Sequence, residues 1–331
     1  MKHLLFLAAA LVFAGAVRAG EPFLKPNDVI ALVGGEDMVA ASEYGYLELL
    51  LIRALPRHHL RFRNLAWEGD TVFEQRRDLN FPPLEDQLEK IGATVVLVHF
   101  GKMEALLPQP QSFQVALTAL YDRIAVRRGG RERRVVLLFP TPFEDLPGAP
   151  LAQPAAVLNR DSDPQEIIDG RGGPLAEIGL ATAVVEQGER CYGLDLGRIF
   201  TRAGVTGFTR DGIHLNERGH AVFARAITAA FLDNTWSRDD LVPDLSRTAL
   251  PLDRDAEPLR QVIRARNRLW SNYWRPQNWA FLAGDRTNQP SSRDHLDPSK
   301  RWFPDEIEQF IPLIKAKERE IDALAVRLAK P

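Results

Sequence analysis

Asp211 and His214 stand three residues apart in Asp211-Gly212-Ile213-His214-Leu215-Asn216, with Gly219-His220 following. An aspartate at that spacing, on a loop entering a helix, can accept the imidazole Nδ1–H. It then orients the ring and stabilises its protonated form, the task of the acid in a catalytic triad. The same run suits a plain helix start, with Asp211 or Asn216 as the cap. Glu36, Asp37, Glu68, Asp70 and Glu104 fall on predicted strand-end loops. They are read as solvated acids. The open alternatives are an acidic cleft and a general base or glycosidase-type nucleophile at Glu36 beside His214. Their spacing carries no metal signature, so no metal and no cofactor is assigned. His99 lies within an apolar strand and is read as a buried, hydrogen-bonded residue, and His220 as structural. His58-His59 follows Pro56 at a helix end, where cations suit the dipole.

Those residues need a frame. Residues 28–33 form an apolar run closed by Gly34-Gly35, the pattern of a buried parallel strand. Further strands are predicted over 60–66, 93–100, 135–139 and 191–196. Helices are predicted over 42–55, 83–91, 113–126, 174–187 and 217–232. This alternation implies a parallel sheet covered on both faces, with right-handed crossovers and chemistry at the carboxyl ends of the strands. Residues 141–173, rich in Pro, Gly and Asp, read as a long loop. Beyond residue 237 comes a polar linker, a helix over 259–274 and an amphipathic helix over 304–328. Pro304, Asp305 and Glu306 suit that last helix's first turn. Trp270, Trp274, Trp279 and Trp302 concentrate in this extension. They anchor it to the body, or stack on a sugar.

The 331 residues carry 42 Lys+Arg against 44 Asp+Glu and are 45% hydrophobic. That excludes a disordered chain and a polytopic membrane protein, and no basic stripe suggests nucleic acid. The single Cys191 rules out an intramolecular disulfide and reads as a small buried hydrophobe. Residues 1–19 resemble a signal peptide: Lys2 and His3, an apolar run over 4–17, then Val17-Arg18-Ala19. Export and a periplasmic or secreted location are expected, with no membrane span after cleavage.

Taken in order, these blocks resemble the SGNH/GDSL hydrolase superfamily. Asp211–His214 matches its last block. Asn64-Leu65-Ala66-Trp67-Glu68-Gly69-Asp70-Thr71 matches the second, where Gly69 supplies an oxyanion N–H. Gly34-Gly35-Glu36-Asp37 lies at the nucleophile block and Gly101-Lys102-Met103-Glu104 at the Gly-x-Asn-Asp block. Arg266-Asn267-Arg268-Leu269 and Trp274-Arg275-Pro276-Gln277-Asn278 resemble the helical extension of one exported bacterial branch. The resemblance implies a three-layer α/β/α domain over 24–236 with a flavodoxin-like five-stranded parallel sheet. Residues 237–331 would form a linker and a helical extension packed on it.

It also implies hydrolysis of an acyl or acetyl ester, such as one on a carbohydrate. His214 would be the base, Asp211 its orienting acid and Gly69 an oxyanion donor. Two positions depart: Glu36 replaces the nucleophilic serine and Met103 the oxyanion asparagine. A carboxylate offers no hydroxyl to deprotonate, and a thioether donates no hydrogen bond. Ser42 and Thr71 are the nearest hydroxyls. Ser42 is read as out of reach and Thr71 as a cap. The alternative is a catalytically silent SGNH-like protein that binds a glycan or a protein partner.

Overall fold

Alternate residues of Val29–Gly34 point to opposite faces, and both sets are apolar, so the strand can only be central. In the computed structural model it is β1, flanked by β2 (Arg61–Asn64) and β3 (Val95–His99). β4 (Arg134–Leu138) and β5 (Cys191–Leu194) complete a five-stranded, fully parallel sheet of order β2-β1-β3-β4-β5. The structure describes residues 22–106, 109–146, 173–186, 191–233 and 254–329. The expected signal peptide, most of the 141–173 loop and most of the linker lie outside them.

Ile30 and Leu32 face one core with α2 (Tyr46–Ala54), α6 (Leu196–Arg202) and α7 (Glu217–Asp233). Ala31 and Val33 face the other, with α3 (Leu84–Lys90), α4 (Pro110–Ala125) and α5 (Gly173–Val185). Each large side chain fully buried there contributes about 1.5–3 kcal/mol. This is the expected three-layer α/β/α architecture.

Three boundaries differ from the sequence expectation. The helix expected from residue 42 starts at Glu36 as α1 (Glu36–Tyr44) and breaks at Gly45, whose φ of 73° caps α1 and opens α2. The strand expected to reach residue 196 stops at Leu194. There the Asp195 side chain accepts the Arg198 N–H and starts α6, a helix that periodicity missed because it is seven residues long. The expected helix over 304–328 is two, α10 (Trp302–Glu308) and α11 (Phe310–Leu328), joined at Gln309.

The extension also holds α8 (Glu257–Trp274) and the short α9 (Trp279–Leu282). α8 packs along α11 and onto α1, α2 and β2. Buried Arg266 pairs with buried Glu48, whose other oxygen accepts from Asn267 Nδ2 at 2.6 Å. On β2, Arg61 bonds Asp322 at 2.7 Å and Arg63 bonds Glu318 at 2.7 Å, tying α11 down. His59 Nδ1, 3.2 Å from Asp322, belongs to the same seam. Trp270, Trp274 and Trp279 donate their indole N–H groups to Asn64 O, Gln87 Oε1 and Leu79 O. All three acceptors lie on the body, so these indoles anchor the extension.

Candidate functional site

The β1 end turns straight into α1 because Gly34 and Gly35 carry no side chain. A Cβ on Gly34 would collide with the His99 carbonyl, and one on Gly35 would crowd the Asp70 carbonyl. That close approach puts Glu36 and Asp37, the first residues of α1, over the strand ends. The Asp–His loop is held from two sides. An isolated bridge joins Thr209 to Leu215, and Arg210 N donates to His214 O at 2.9 Å. Buried Glu144 accepts from the N–H groups of Gly207, Phe208 and Thr209 and from the Thr209 hydroxyl. Asp37 Oδ1 accepts the Leu215 N–H at 2.9 Å.

Within this loop His214 Nδ1 lies 2.7 Å from Asp211 Oδ2. Asp211 Oδ1 accepts the backbone N–H of His214 at 2.7 Å and of Ile213 at 3.0 Å. Partial burial alone would raise the Asp211 pKa. The hydrogen bonds from His214 and the two amides outweigh it and hold the carboxyl below the usual range. With Nδ1 engaged, Nε2 is the imidazole nitrogen that can serve a ligand.

The cleft at the strand ends brings together Glu36, Met103 and His214, over Asp37, His99 and Lys102. Its free volume is about 30 Å³, room for about two water molecules. Glu36 Oε1 accepts from Arg210 Nη2 at 2.7 Å. Met103 is 41% exposed at the cleft edge. Gly69 has a left-handed φ of 78° but does not line the cleft; its neighbour Asp70 does.

The acids expected to be solvated are largely buried and committed. Asp70 takes a bidentate fork from Arg77 at 2.7 and 2.6 Å. Glu104 accepts the Val72 and Gly101 N–H groups at 2.6 and 2.8 Å. Glu68, still exposed, pairs with Arg275 at 2.7 Å. The physical reason is that each strand-end turn leaves backbone N–H groups or arginines needing an acceptor. Among the described residues no group of three or more His, Cys, Asp or Glu could hold a metal ion.

Beneath the cleft lies a buried polar cluster: His99, bonded to Leu138 O, and His220 are buried as the sequence suggested, but Asp37 and Lys102 were missed. Asp37 Oδ2 sits 3.8 Å from Lys102 Nζ and 3.9 Å from His99 Nε2. Lys102 also donates to Thr141 Oγ1 at 2.7 Å. Burial would raise the Asp37 pKa, but Lys102 and the nearby histidines carry it far below the usual carboxylate value. Burial pulls the Lys102 pKa down against the pull of Asp37. His220, on α7, is pushed down to about 4 by burial and is neutral at pH 7. The signal for the missed pair was Lys102, a charged residue two positions past the apolar strand predicted over 93–100. Ser42 and Thr71 stay outside the cleft. Ser42 Oγ accepts from Asn64 at 2.8 Å, and Thr71 Oγ1 accepts the Glu74 N–H at 3.1 Å, as a cap would.

No protein-family profile matches the sequence, and no curated protein does. Solved structures do. A gut microbial diltiazem-metabolizing enzyme superposes with a TM-score of 0.55 at 10% identity, over 93% of this chain and 96% of its own. That coverage takes in the helical extension as well as the sheet. The chain has the SGNH-hydrolase fold. Also matched are a candidate SGNH hydrolase from Slackia heliotrinireducens (TM-score 0.41, 14% identity, 61% of this chain and 97% of that one) and TesA (0.40, 20%, 61% and 99%). The identities are low enough that the likeness speaks for the fold alone.

Proposed function

We propose that this SGNH-fold chain acts by binding and not by ester turnover. The observation that carries this reading is the lining of the strand-end cleft: none of its residues bears a hydroxyl or a thiol. The position of the missing serine is filled by Glu36, whose carboxylate accepts from Arg210. Acyl transfer through the protein needs a deprotonable nucleophile, and loss of one costs on the order of a million-fold in rate. Met103 in the asparagine position removes an oxyanion donor, costing about 100- to 1,000-fold more. The leader-like residues 1–19 support an exported protein meeting its ligand outside the cytoplasm.

One observation favours a second reading. The Asp211–His214 pair is intact at 2.7 Å and could activate a water toward a carbohydrate acyl or acetyl ester. The two readings part in a single assay. Mature protein, His214→Ala, Glu36→Ser and Glu36→Ser/His214→Ala are given short acyl esters and acetylated sugars. The binding reading expects no turnover by the natural sequence and a His214-dependent gain in Glu36→Ser. Turnover by the natural sequence that is lost in His214→Ala would sink it in favour of the hydrolase.

A further inference from the structure

A second cavity lies apart from the strand-end cleft. It has a volume of about 310 Å³, opens between the body and α8, and shares no lining residue with the Asp211–His214 site. It lies at the lower end of the range for small-ligand sites, about 300–1,000 Å³.

Its α8 wall is a single stripe. Arg264, Arg268 and Ser271 follow at intervals of four and three residues, so they share one helix face beside the buried Ile263, Arg266, Asn267 and Trp270, and Arg275 lines the cavity just past the helix end. Two arginines at i and i+4 repel one another, a destabilising arrangement for a helix with nothing opposite. Arg275 is spent on Glu68 at 2.7 Å, and Arg264 Nε donates to Glu43 O at 2.7 Å. Arg268 has no hydrogen-bond or ion-pair partner among the described residues, and its guanidinium offers a five-donor fork suited to a planar or tetrahedral oxyanion.

The opposite wall belongs to the body and mixes apolar Val39 and Ala66 with Ser42, Asn64 and two acids, Glu43 and the Arg275-paired Glu68, so that against Arg264, Arg268 and Arg275 the lining keeps a net positive charge. Asn64 spends both amide hydrogens on Met38 O and Ser42 Oγ, at 2.7 and 2.8 Å. Ser42 is 8% exposed, accepts that bond, and has no acceptor for its own hydroxyl proton among the described residues. A buried hydroxyl donor left unspent is costly, and this one lines the cavity. One wall therefore asks for an anion and the other for a hydrogen-bond acceptor of the hydroxyl kind.

We propose that this cavity binds a small polyhydroxylated anion, a sugar bearing a carboxylate, sulfate or phosphate, with the acid group on Arg268 and Arg264 and a hydroxyl oxygen on Ser42. The inference goes beyond the reading of the strand-end cleft and stands whether or not that cleft turns over esters. The test is calorimetric titration of the full mature chain with glucuronate, glucose 6-phosphate, neutral glucose and inorganic phosphate. The expected result is saturable binding of at least one sugar anion, weakened by added salt, with glucose and inorganic phosphate both weaker. Arg268→Ala should weaken that binding about 10- to 100-fold, as loss of a charge-assisted bond does, and Ser42→Ala should weaken it by less. Arg268 is exposed, so its truncation leaves the fold intact, and the far-ultraviolet dichroism and unfolding midpoint check this. No saturable binding of any sugar anion at millimolar concentration overturns the proposal. So does binding that Arg268→Ala leaves unchanged, or inorganic phosphate binding as tightly as the sugar anions. Glu36→Ser serves as the independent control: binding should be unaltered, whatever happens to its turnover.

Discussion

Replacing Arg266 by Met tests whether the helical extension is locked to the sheet by one buried charge pair. Arg266 and Glu48 are both buried, 2% and 1% exposed. The guanidinium serves Glu48 and the Phe62 carbonyl together, so it joins α8 to α2 and to β2. Met keeps most of the apolar stem and removes the charge. Glu48 is then left in the core with one neutral donor, Asn267 Nδ2 at 2.6 Å. Removing one partner of a buried pair costs about 3–5 kcal/mol, because the remaining charge is uncompensated. The retained Asn267 bond and the nearby Arg63 charge put the expected loss at the low end, about 3 kcal/mol. In urea, with m at the upper end of the usual range, near 3 kcal/mol/M for a chain this long, the midpoint should fall by about 1 M. The companion variant Glu48→Leu/Arg266→Met replaces both charges by apolar groups and should recover to within about 1 kcal/mol of the natural sequence, since burying the pair already carries a desolvation penalty. Equilibrium unfolding followed by tryptophan fluorescence measures all of these states. An Arg266→Met cost below about 1 kcal/mol, or a double variant no better than the single one, would refute the account.

Two further outcomes follow from burial. His220 is held neutral, its pKa down from 6.5 to about 4, while the unfolded chain protonates near the ordinary value. The unfolded state therefore binds more protons between those limits, and stability should fall as pH drops from 6.5 toward 4 by up to about 3 kcal/mol. Neither ring nitrogen has a partner among the described residues, so His220→Phe should be near neutral at pH 7 and flatten that acid limb. An unchanged limb in urea titrations at pH 7, 6, 5 and 4 would contradict this. Cys191 is buried, and burial with nearby Glu186 pushes its thiol up to about 12. It should resist iodoacetamide at pH 8 in the native protein and react once denatured, as mass spectrometry would show.

What the sequence determined by itself is the architecture. Apolar runs ending in glycine or proline, alternating with amphipathic segments, admit little besides a covered parallel sheet. The order of the motif blocks carries the SGNH resemblance. The separation of Asp211 and His214 was also enough to bring their side chains together, because three residues on a tight loop leave few other options. Local chemistry decides such features, and local chemistry is written in neighbouring residues.

The partners that Glu36, Asp37 and Glu144 take are non-local. Glu36 looked available as a base, yet Arg210, 174 positions away, takes its carboxylate. Asp37 looked like one more surface acid, yet Lys102 and the Leu215 amide hold it in the core. Glu144 gave no sign that it organises the loop carrying His214. The cavity under α8 exists only because Arg266 and Trp270 seat that helix on β2 and α2, which turns its arginine stripe toward Ser42 and Asn64. A side chain's partner depends on which surfaces the sheet brings together, and pairings over hundreds of residues leave no periodic trace in the chain.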